Sequence, residues 1–215
     1  MRDHPSPNFG PRRDGLTPSI IVLHYTAMAS AEAAIDRLCD PKTDVSAHYV
    51  ICRRGEVIRL VAEDKRAWHA GAGEWRGQTD INSRSIGIEL DNAADHPFPE
   101  PQMATLEHLL SDLMVRWAIL PEDVIGHSDM APGRKSDPGP RFDWARLARQ
   151  GLAAPGGPSR PGPDVSALRF RECARAAGFT ADVDDATLLA TVRLRFRAHA
   201  KGPLTVEDIA ALPLD

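Results

Sequence analysis

The segment "SIIVLHYTA" at positions 19–27 places the strongest constraint on the fold. Its apolar, mostly β-branched run from Ile20 to Leu23 changes abruptly to polar residues at His24. A short continuous run of this composition is typical of a strand that is buried on both faces. The segment therefore predicts a central strand that ends at a surface, with His24 near that end.

Two other segments predict strands that would join the first one in a sheet. Residues 45–62 contain two strand-like runs, "VSAHYVICR" and "EVIRLVA", around an Arg-Gly turn, which predicts a hairpin. In "RSIGIELDN" at 84–92 the apolar residues alternate, so that Glu89 would lie on the face opposite the isoleucines. Strands therefore dominate the centre of the chain.

Helical patterns separate these strands. Ser30 is a typical N-cap for a helix that Pro41 would end, and an apolar face repeats at i, i+3, i+4 and i+7 over 101–117. A short apolar strand before His127 then leads into a Pro-rich loop. Strands interleaved with helices predict an α/β or α+β domain that spans residues 1–150.

The composition changes beyond this domain. Residues 151–163, "GLAAPGGPSRPGP", are more than half Gly and Pro, which predicts a linker. Residues 164–215 contain two helical patterns, each opened by Asp, and a third short one. Because so small a core is marginal alone, we expect this helical domain to dock on the first domain.

Charge and apolar content exclude several classes of function. A formal net charge of -4 over 215 residues gives no basic surface for nucleic acid. The longest apolar run, "IIVL", is far shorter than the roughly 20 residues of a membrane span, so we predict no membrane insertion. The N-terminal "MRDHPSPNFGPRRDG" has charges and prolines where a secretion signal needs an apolar stretch, which predicts a cytoplasmic protein.

The loop "GHSDMAPGRKSDPGP" at 126–140 concentrates ionisable groups between prolines. Catalytic zinc commonly takes three protein ligands, His and carboxylate among them, and leaves a fourth position to water. His24, His127 and Asp137 match that set, and the prolines would reduce the entropy lost when the loop is ordered. The spacing alone leaves two alternatives open, a metal site and a solvated loop.

Five motifs in a fixed order carry a resemblance. They occur between residues 19 and 144 as "VLHYTA", "VSAHYVI", "WHAG", "SIGIEL" and "GHSDMAPGRKSDPGP". Together they resemble the zinc-dependent N-acetylmuramoyl-L-alanine amidases of the type 2 amidase family, which are related to peptidoglycan recognition proteins. The resemblance implies a central mixed β-sheet flanked by helices and one Zn²⁺ ion held by His24, His127 and Asp137.

The resemblance also implies a reaction and roles for further residues. The reaction is hydrolysis of the amide between the lactyl group of N-acetylmuramic acid and L-alanine, in peptidoglycan fragments or muropeptides. Glu89 would be the general base, and Lys135 would stabilise the oxyanion. His69 and Asn82 are candidate substrate contacts, with a structural loop role as the alternative. His48 is expected to be a packing residue that at most lines the cleft.

Two other functions stay open from the sequence. A module that binds muropeptides without zinc or cleavage would keep the fold, and a zinc hydrolase for another substrate would keep the ligands. The lack of a visible export signal favours muropeptide recycling over action on the intact wall. The C-terminal helices faintly resemble peptidoglycan-binding domains, with a brace for the cleft as the alternative. The oligomeric state is not indicated.

Overall fold

The computed structural model describes residues 1–157 and 165–213. The strands in these ranges are β1 (Arg2–Asp3), β2 (Phe9–Pro11), β3 (Ile20–Tyr25), β4 (Tyr49–Ile51), β5 (Val57–Arg59), β6 (Lys65–Ala67), β7 (Ser85–Leu90) and β8 (Val124–Gly126). The α-helices are α1 (Ala31–Cys39), α2 (Ile81–Arg84), α3 (Glu100–Trp117), α4 (His127–Met130), α5 (Trp144–Arg149), α6 (Ala167–Ala176), α7 (Asp185–Phe196) and α8 (Val206–Ala210). No helix in the described ranges combines the length and the apolar character that a bilayer crossing requires.

Six strands form one mixed sheet in the order β1-β5-β4-β7-β3-β8. The central strand β3 pairs parallel with β7 and with β8, and β7 pairs parallel with β4. β4 and β5 form an antiparallel hairpin, β1 joins β5 at the edge, and β2 and β6 form a separate antiparallel ribbon. Because the carboxyl ends of β3, β7 and β8 meet at one edge of the sheet, side chains at these ends are brought together.

The two faces of the sheet pack against different helices. Ile21, Leu23 and the alternating apolar residues of β7 lie in one core with α3 and α5. Ile20 and Val22 face the other way, into a core with α6, α7 and α8. On this second face, Val50 of β4 packs against α1 in a third cluster. The sheet is therefore a layer flanked by helices, as the resemblance implied.

Most of the predicted elements are confirmed, and the loop at 126–140 needs one correction. The hairpin is formed by β4 and β5, the apolar face over 101–117 belongs to α3, and the Ser30 hydroxyl caps α1 by accepting from the Ala33 N–H at 3.2 Å. The loop contains a helical turn, α4, that its sequence did not predict. A local bond accounts for this turn, because the Asp129 carboxylate accepts from the Gly126 N–H at 2.8 Å.

The C-terminal helices complete the core of the sheet, as their small size led us to expect. Phe170 of α6 and Val192 of α7 are buried in one cluster with Val22 and Ile125 of the sheet. Within the predicted linker, Leu152 and Ala153 are buried as well. Positions 158–163 of that linker, and positions 164, 214 and 215 of the predicted helical domain, lie outside the described residues. The boundaries between the domains stay a prediction.

Candidate active site and metal centre

His24 and Glu89 lie side by side at the carboxyl edge of the sheet. They are partners in the parallel register of β3 and β7, so both side chains leave the same face. That face is covered by α1 on one side and by the C-terminal helices on the other. A cleft of about 410 Å³ lies between α1 and the segment 134–137, and its lining includes His24, His69, Glu89, His127, Lys135 and Asp137.

The loop after β8 folds back so that its two ends meet at this edge. His127 opens α4 directly after β8, which is the parallel neighbour of β3. Ten residues later the Asp137 carbonyl accepts from the Ser128 N–H at 3.0 Å. Gly126 permits the return, because a Cβ at this position would lie 2.7 Å from Cδ of Pro138. The segment therefore provides both the glycine that allows the close approach and the two side chains, His127 and Asp137, that it brings together.

The three predicted ligands converge on one point. Nδ1 of His24 lies 2.8 Å from Oδ2 of Asp137, and Nδ1 of His127 lies 3.0 Å from the same oxygen. The candidate ligand atoms all lie within 4.8 Å of one another, and all three residues are buried. The structure thus brings together His24, His127 and Asp137, which are separated by up to 113 residues in sequence.

A chain of hydrogen bonds fixes which nitrogen of His24 carries the proton. The Ser85 hydroxyl donates to the Ile81 carbonyl at 2.6 Å, so its oxygen is free to accept from Nε2 of His69 at 3.2 Å. Burial and the neighbouring His24 hold the pKa of His69 well below its usual value, so its ring is neutral. Nδ1 of His69 therefore accepts, and Nε2 of His24 donates to it at 3.0 Å. Nδ1 of His24 is left as a lone pair.

A hydrogen bond to the backbone fixes the donor nitrogen of His127. Its Nε2 lies 2.8 Å from the Ala70 carbonyl, which can only accept, so Nε2 carries the proton. Burial and the neighbouring His127 lower the pKa of His24 to about 4, against the opposing effect of Asp137, so His24 is neutral near pH 7. Metal-binding histidines characteristically donate their second N–H in this way, which orients the ring and selects the tautomer.

This donor set fits a divalent cation. Nδ1 of each imidazole and a carboxylate oxygen face one another at hydrogen-bond distance, and with Nε2 as the donor each neutral imidazole presents a lone pair to this point. Electron-rich atoms in such an arrangement repel unless a cation lies among them. Two imidazoles and one carboxylate, with a cleft on the open side, match the ligands of catalytic zinc.

Glu89 has the character of a proton-transfer group. Burial raises the pKa of its carboxyl well above the ordinary value, the charge of Asp137 raises it further, and Lys135 opposes both. Its Oε2 atom is buried and has no hydrogen-bond partner among the described residues. A partly buried carboxylate with an open acceptor position beside the cleft suits a general base. Lys135 is exposed and lines the same cleft.

The structure separates the two candidate substrate contacts. His69 lines the cleft, but both of its ring nitrogens are engaged with His24 and Ser85. Asn82 is buried and is not part of the cleft lining; its Oδ1 accepts from the N–H groups of His69 and Ala70 at 3.1 and 2.8 Å. Asn82 thereby holds the backbone that carries His69 and the carbonyl partner of His127. Substrate contact by either residue stays a prediction.

His48 is a packing residue in the structure, as the sequence led us to expect. Its side chain is fully buried, Nδ1 accepts from the Gly87 N–H at 2.9 Å, and Nε2 donates to the Lys65 carbonyl at 3.1 Å. Burial lowers the pKa of His48 to about 3, so the ring is neutral near pH 7. Both of its ring nitrogens are hydrogen-bonded.

Two residues of the site were missed from the sequence. Ser85 anchors His69, and Gly87 makes room for it, because a Cβ on Gly87 would lie 2.5 Å from Cγ and Cδ2 of the His69 ring. A glycine inside a predicted strand is a signal of close approach by another group, and could have drawn attention to Gly87. Ser85 carried no such signal, because its role depends on the position of His69.

Comparison with known protein families agrees with this geometry. The family model described as N-acetylmuramoyl-L-alanine amidase matches residues 14–140, a range that includes the three ligand candidates, Glu89 and Lys135. The chain belongs to the N-acetylmuramoyl-L-alanine amidase family. Its metal-ligand candidates and its proton-transfer candidate thus all lie within the part of the chain that defines the family.

Two named amidases illustrate the sequence similarity. N-acetylmuramoyl-L-alanine amidase AmiD of Escherichia coli K12 is 37% identical over 186 residues, which cover 79% of this chain and 63% of AmiD. The chain thus spans less than two thirds of that relative. The 1,6-anhydro-N-acetylmuramyl-L-alanine amidase AmpD of Citrobacter freundii is 37% identical over 160 residues, which cover 66% of this chain and 86% of AmpD.

Solved structures of amidases share the architecture. E. coli AmiD in complex with the substrate anhydro-N-acetylmuramic acid-L-Ala-D-gamma-Glu-L-Lys has a TM-score of 0.81 and 29% identity, and covers 97% of this chain and 90% of its own. AmpDh3 of Pseudomonas aeruginosa in complex with anhydromuramic pentapeptide has a TM-score of 0.77 and 31% identity, and covers 97% and 94%. Because nearly the whole chain is covered, the likeness extends to the C-terminal helices.

Proposed function

We propose that this protein is a zinc-dependent amidase that hydrolyses the bond between the lactyl group of anhydro-N-acetylmuramic acid and L-alanine in soluble muropeptides. The observation that carries the proposal is the convergence of His24 Nδ1, His127 Nδ1 and Asp137 Oδ2 beside a cleft. The substrate class is supported by the anhydromuramyl peptides named in the AmiD and AmpDh3 complexes and by the name of AmpD. The cytoplasmic location expected from the sequence stays a prediction.

The protein's own residues divide the remaining work. Zinc, held by His24, His127 and Asp137, would supply a Lewis acid and a water that ionises near neutral pH. Glu89 would accept a proton from the attacking water and deliver it to the departing L-alanine nitrogen. Lys135 would stabilise the negative charge that develops on the amide oxygen. Water is added across the C–N bond, so the products are a lactyl carboxylate and a peptide with a free amine.

Metal content and product analysis test the proposal together. Elemental mass spectrometry of the purified protein is expected to give about one zinc per chain, because the three donors form one site. Mass detection of products from an anhydromuramyl tripeptide is expected to find the free tripeptide. A chelator should abolish the reaction, and added zinc should restore it.

Three other results would contradict the proposal in different ways. Binding of the muropeptide without cleavage would indicate a non-catalytic recognition module. Zinc with no action on any muramyl peptide would indicate another substrate class. Cleavage of polymeric sacculi alone would refute the assignment to soluble muropeptides while leaving the zinc amidase intact.

A further inference from the structure

A buried arginine links the C-terminal helices to the start of the loop at 126–140, here called the ligand loop because it carries His127 and Asp137. Arg195 belongs to α7, and its Nη1 donates to Oδ2 of Asp129 at 2.5 Å. Its Nη2 donates to the Val124 carbonyl at 3.0 Å. The side chains of Arg195 and Asp129 are only 2% and 1% exposed, so this ion pair is screened from water.

The bonds of Arg195 bracket His127. Val124 lies in β8, before the histidine, and Asp129 lies two residues after it in α4. The same Oδ2 that receives Arg195 also accepts from the Gly126 N–H at 2.8 Å. One guanidinium therefore ties the first residue of β8 to the helical turn that starts at His127.

Arg195 also contacts the segment that follows the loop. Its guanidinium carbon lies 4.1 Å from the ring centroid of Trp144, the first residue of α5. The Trp144 ring in turn packs on Gly126, since its Cζ2 is 3.3 Å from where a Cβ on that glycine would lie. Gly126 is also the residue against which Pro138 packs, next to Asp137. The arginine thus contacts a residue that packs against the start of the ligand loop at Gly126, and Gly126 lies against the end of the loop at Pro138.

We propose that Arg195 is a positioning residue for His127 and Asp137, so that the C-terminal helices form part of the catalytic unit as a brace. Neither Arg195 nor Asp129 is part of the cleft lining. We therefore expect them to affect the position of the metal ligands and not to contact the substrate. Removal of the arginine leaves the Asp129 charge buried without its partner, which favours rearrangement of the turn. The effect on catalysis rests on the zinc site proposed above.

The chain offers a matched control in the same helix. Arg193 also forms a buried ion pair, with Asp208 of α8, and its other bonds go to the carbonyls of Gly202 and Pro203. All of these partners belong to the C-terminal region. Arg193→Met and Arg195→Met therefore remove the same charge from α7, but only the second change reaches the ligand loop.

The test compares these variants of the full chain in three measurements. Hydrogen exchange of the metal-free proteins reports protection of the Gly126 and Ser128 amides, competition with a chromogenic chelator gives zinc affinity, and steady-state kinetics give kcat and KM. We expect Arg195→Met to lose amide protection and to bind zinc about 10–100-fold more weakly, as is common when a partner of a metal ligand is lost. We expect KM to change little and Arg193→Met to retain zinc affinity within about 2-fold.

Several outcomes would overturn the proposal. One is that Arg195→Met keeps the wild-type amide protection and zinc affinity. Another is that Arg193→Met loses as much zinc affinity as Arg195→Met does. If Arg195→Met does not fold, Arg195→Lys is measured in its place. Lysine keeps the charge but cannot bond both acceptors, so we expect a zinc affinity between those of the wild type and of a variant without the contact. Wild-type zinc affinity in Arg195→Lys would refute the positioning role. If the wild-type protein binds no zinc, the proposed function fails, while exchange of the metal-free variants still decides the role of Arg195.

Discussion

The candidate metal ligands and Glu89 have different hydrogen-bonding states. In their neutral forms His24 and His127 both present Nδ1 lone pairs, because their Nε2 atoms donate to His69 and to the Ala70 carbonyl. Glu89 differs, because one of its carboxylate oxygens is buried and has no hydrogen-bond partner within residues 1–157 and 165–213. Candidate metal ligands and a candidate proton-transfer group thus lie beside one cleft with different hydrogen-bonding states.

Substitutions at three residues should separate binding of the metal from catalysis. We expect His127→Ala to lose zinc, since a donor is removed. Glu89→Gln and Lys135→Ala should both keep the fold and the zinc. We expect Glu89→Gln to lower kcat by about 10²–10⁴-fold because proton transfer is lost. We expect Lys135→Ala to lower kcat by about 10²–10³-fold because stabilisation of the oxyanion is lost. Zinc content by elemental mass spectrometry and turnover of the anhydromuramyl tripeptide are the measurements. Wild-type turnover in Glu89→Gln would remove Glu89 as the base.

At the scale of elements, strand ends and one strand glycine position the site. The parallel pairing of β3 with β7 and β8 places His24 beside Glu89 and close to His127. Within β7, Gly87 lets the His69 ring lie against the backbone. The strand is paired on both sides, so its backbone has little freedom to move away from an added side chain.

Substitution of Gly87 tests this close approach. The Cβ of Gly87→Ala would overlap the His69 ring, displace it from His24, and is expected to weaken zinc binding about 10–100-fold. Gly10→Ala is the matched control, because a Cβ on Gly10 in β2 would have no atom of the described part of the chain within 4 Å apart from its own sequence neighbours. Zinc affinity by chelator competition is the measurement, with circular dichroism to verify the fold. Equal affinity in the two variants would mean that His69 does not support His24.

The whole molecule unites the sheet and the C-terminal helices in one core. Phe170, Val192 and Phe179 from the C-terminal region share a cluster with Trp75 and Ile125 from the matched amidase region. A separate binding module would instead have its own core and few contacts across the boundary. This packing agrees with a brace for the site.

Unfolding experiments test that unity. Phe170 is 1% exposed, and Phe170→Ala should reduce the free energy of unfolding by about 3–5 kcal/mol. Because the core is shared, we expect one transition, with coincident tryptophan fluorescence and far-ultraviolet circular dichroism. Leu168→Ala, in the same helix but 70% exposed, should change stability by less than about 0.5 kcal/mol. Two transitions, with only one shifted by Phe170→Ala, would contradict a shared core.

The sequence by itself determined the strands, the main helices and the residues with ligand chemistry. Continuous apolar runs, alternation and helical periods are local patterns, and they predicted β3, β7, α3 and the hairpin. The ordered motifs indicate His24, His127, Asp137 and Glu89 as candidates through resemblance to a family, and the match of the family model agrees with that family. Lys135 was assigned in the same way and lines the cleft.

Only the tertiary structure decided which groups support these residues. Ser85 reaches His24 through His69, Asn82 fixes a loop instead of lining the cleft, and Arg195 crosses from α7 to Asp129. These contacts join residues that are 13 to 66 positions apart. Hydrogen bonds act over about 3 Å, so a partner distant in sequence leaves no local pattern to detect. The candidate ligand residues could therefore be predicted from the sequence, whereas the orientation of their side chains depends on how the chain packs.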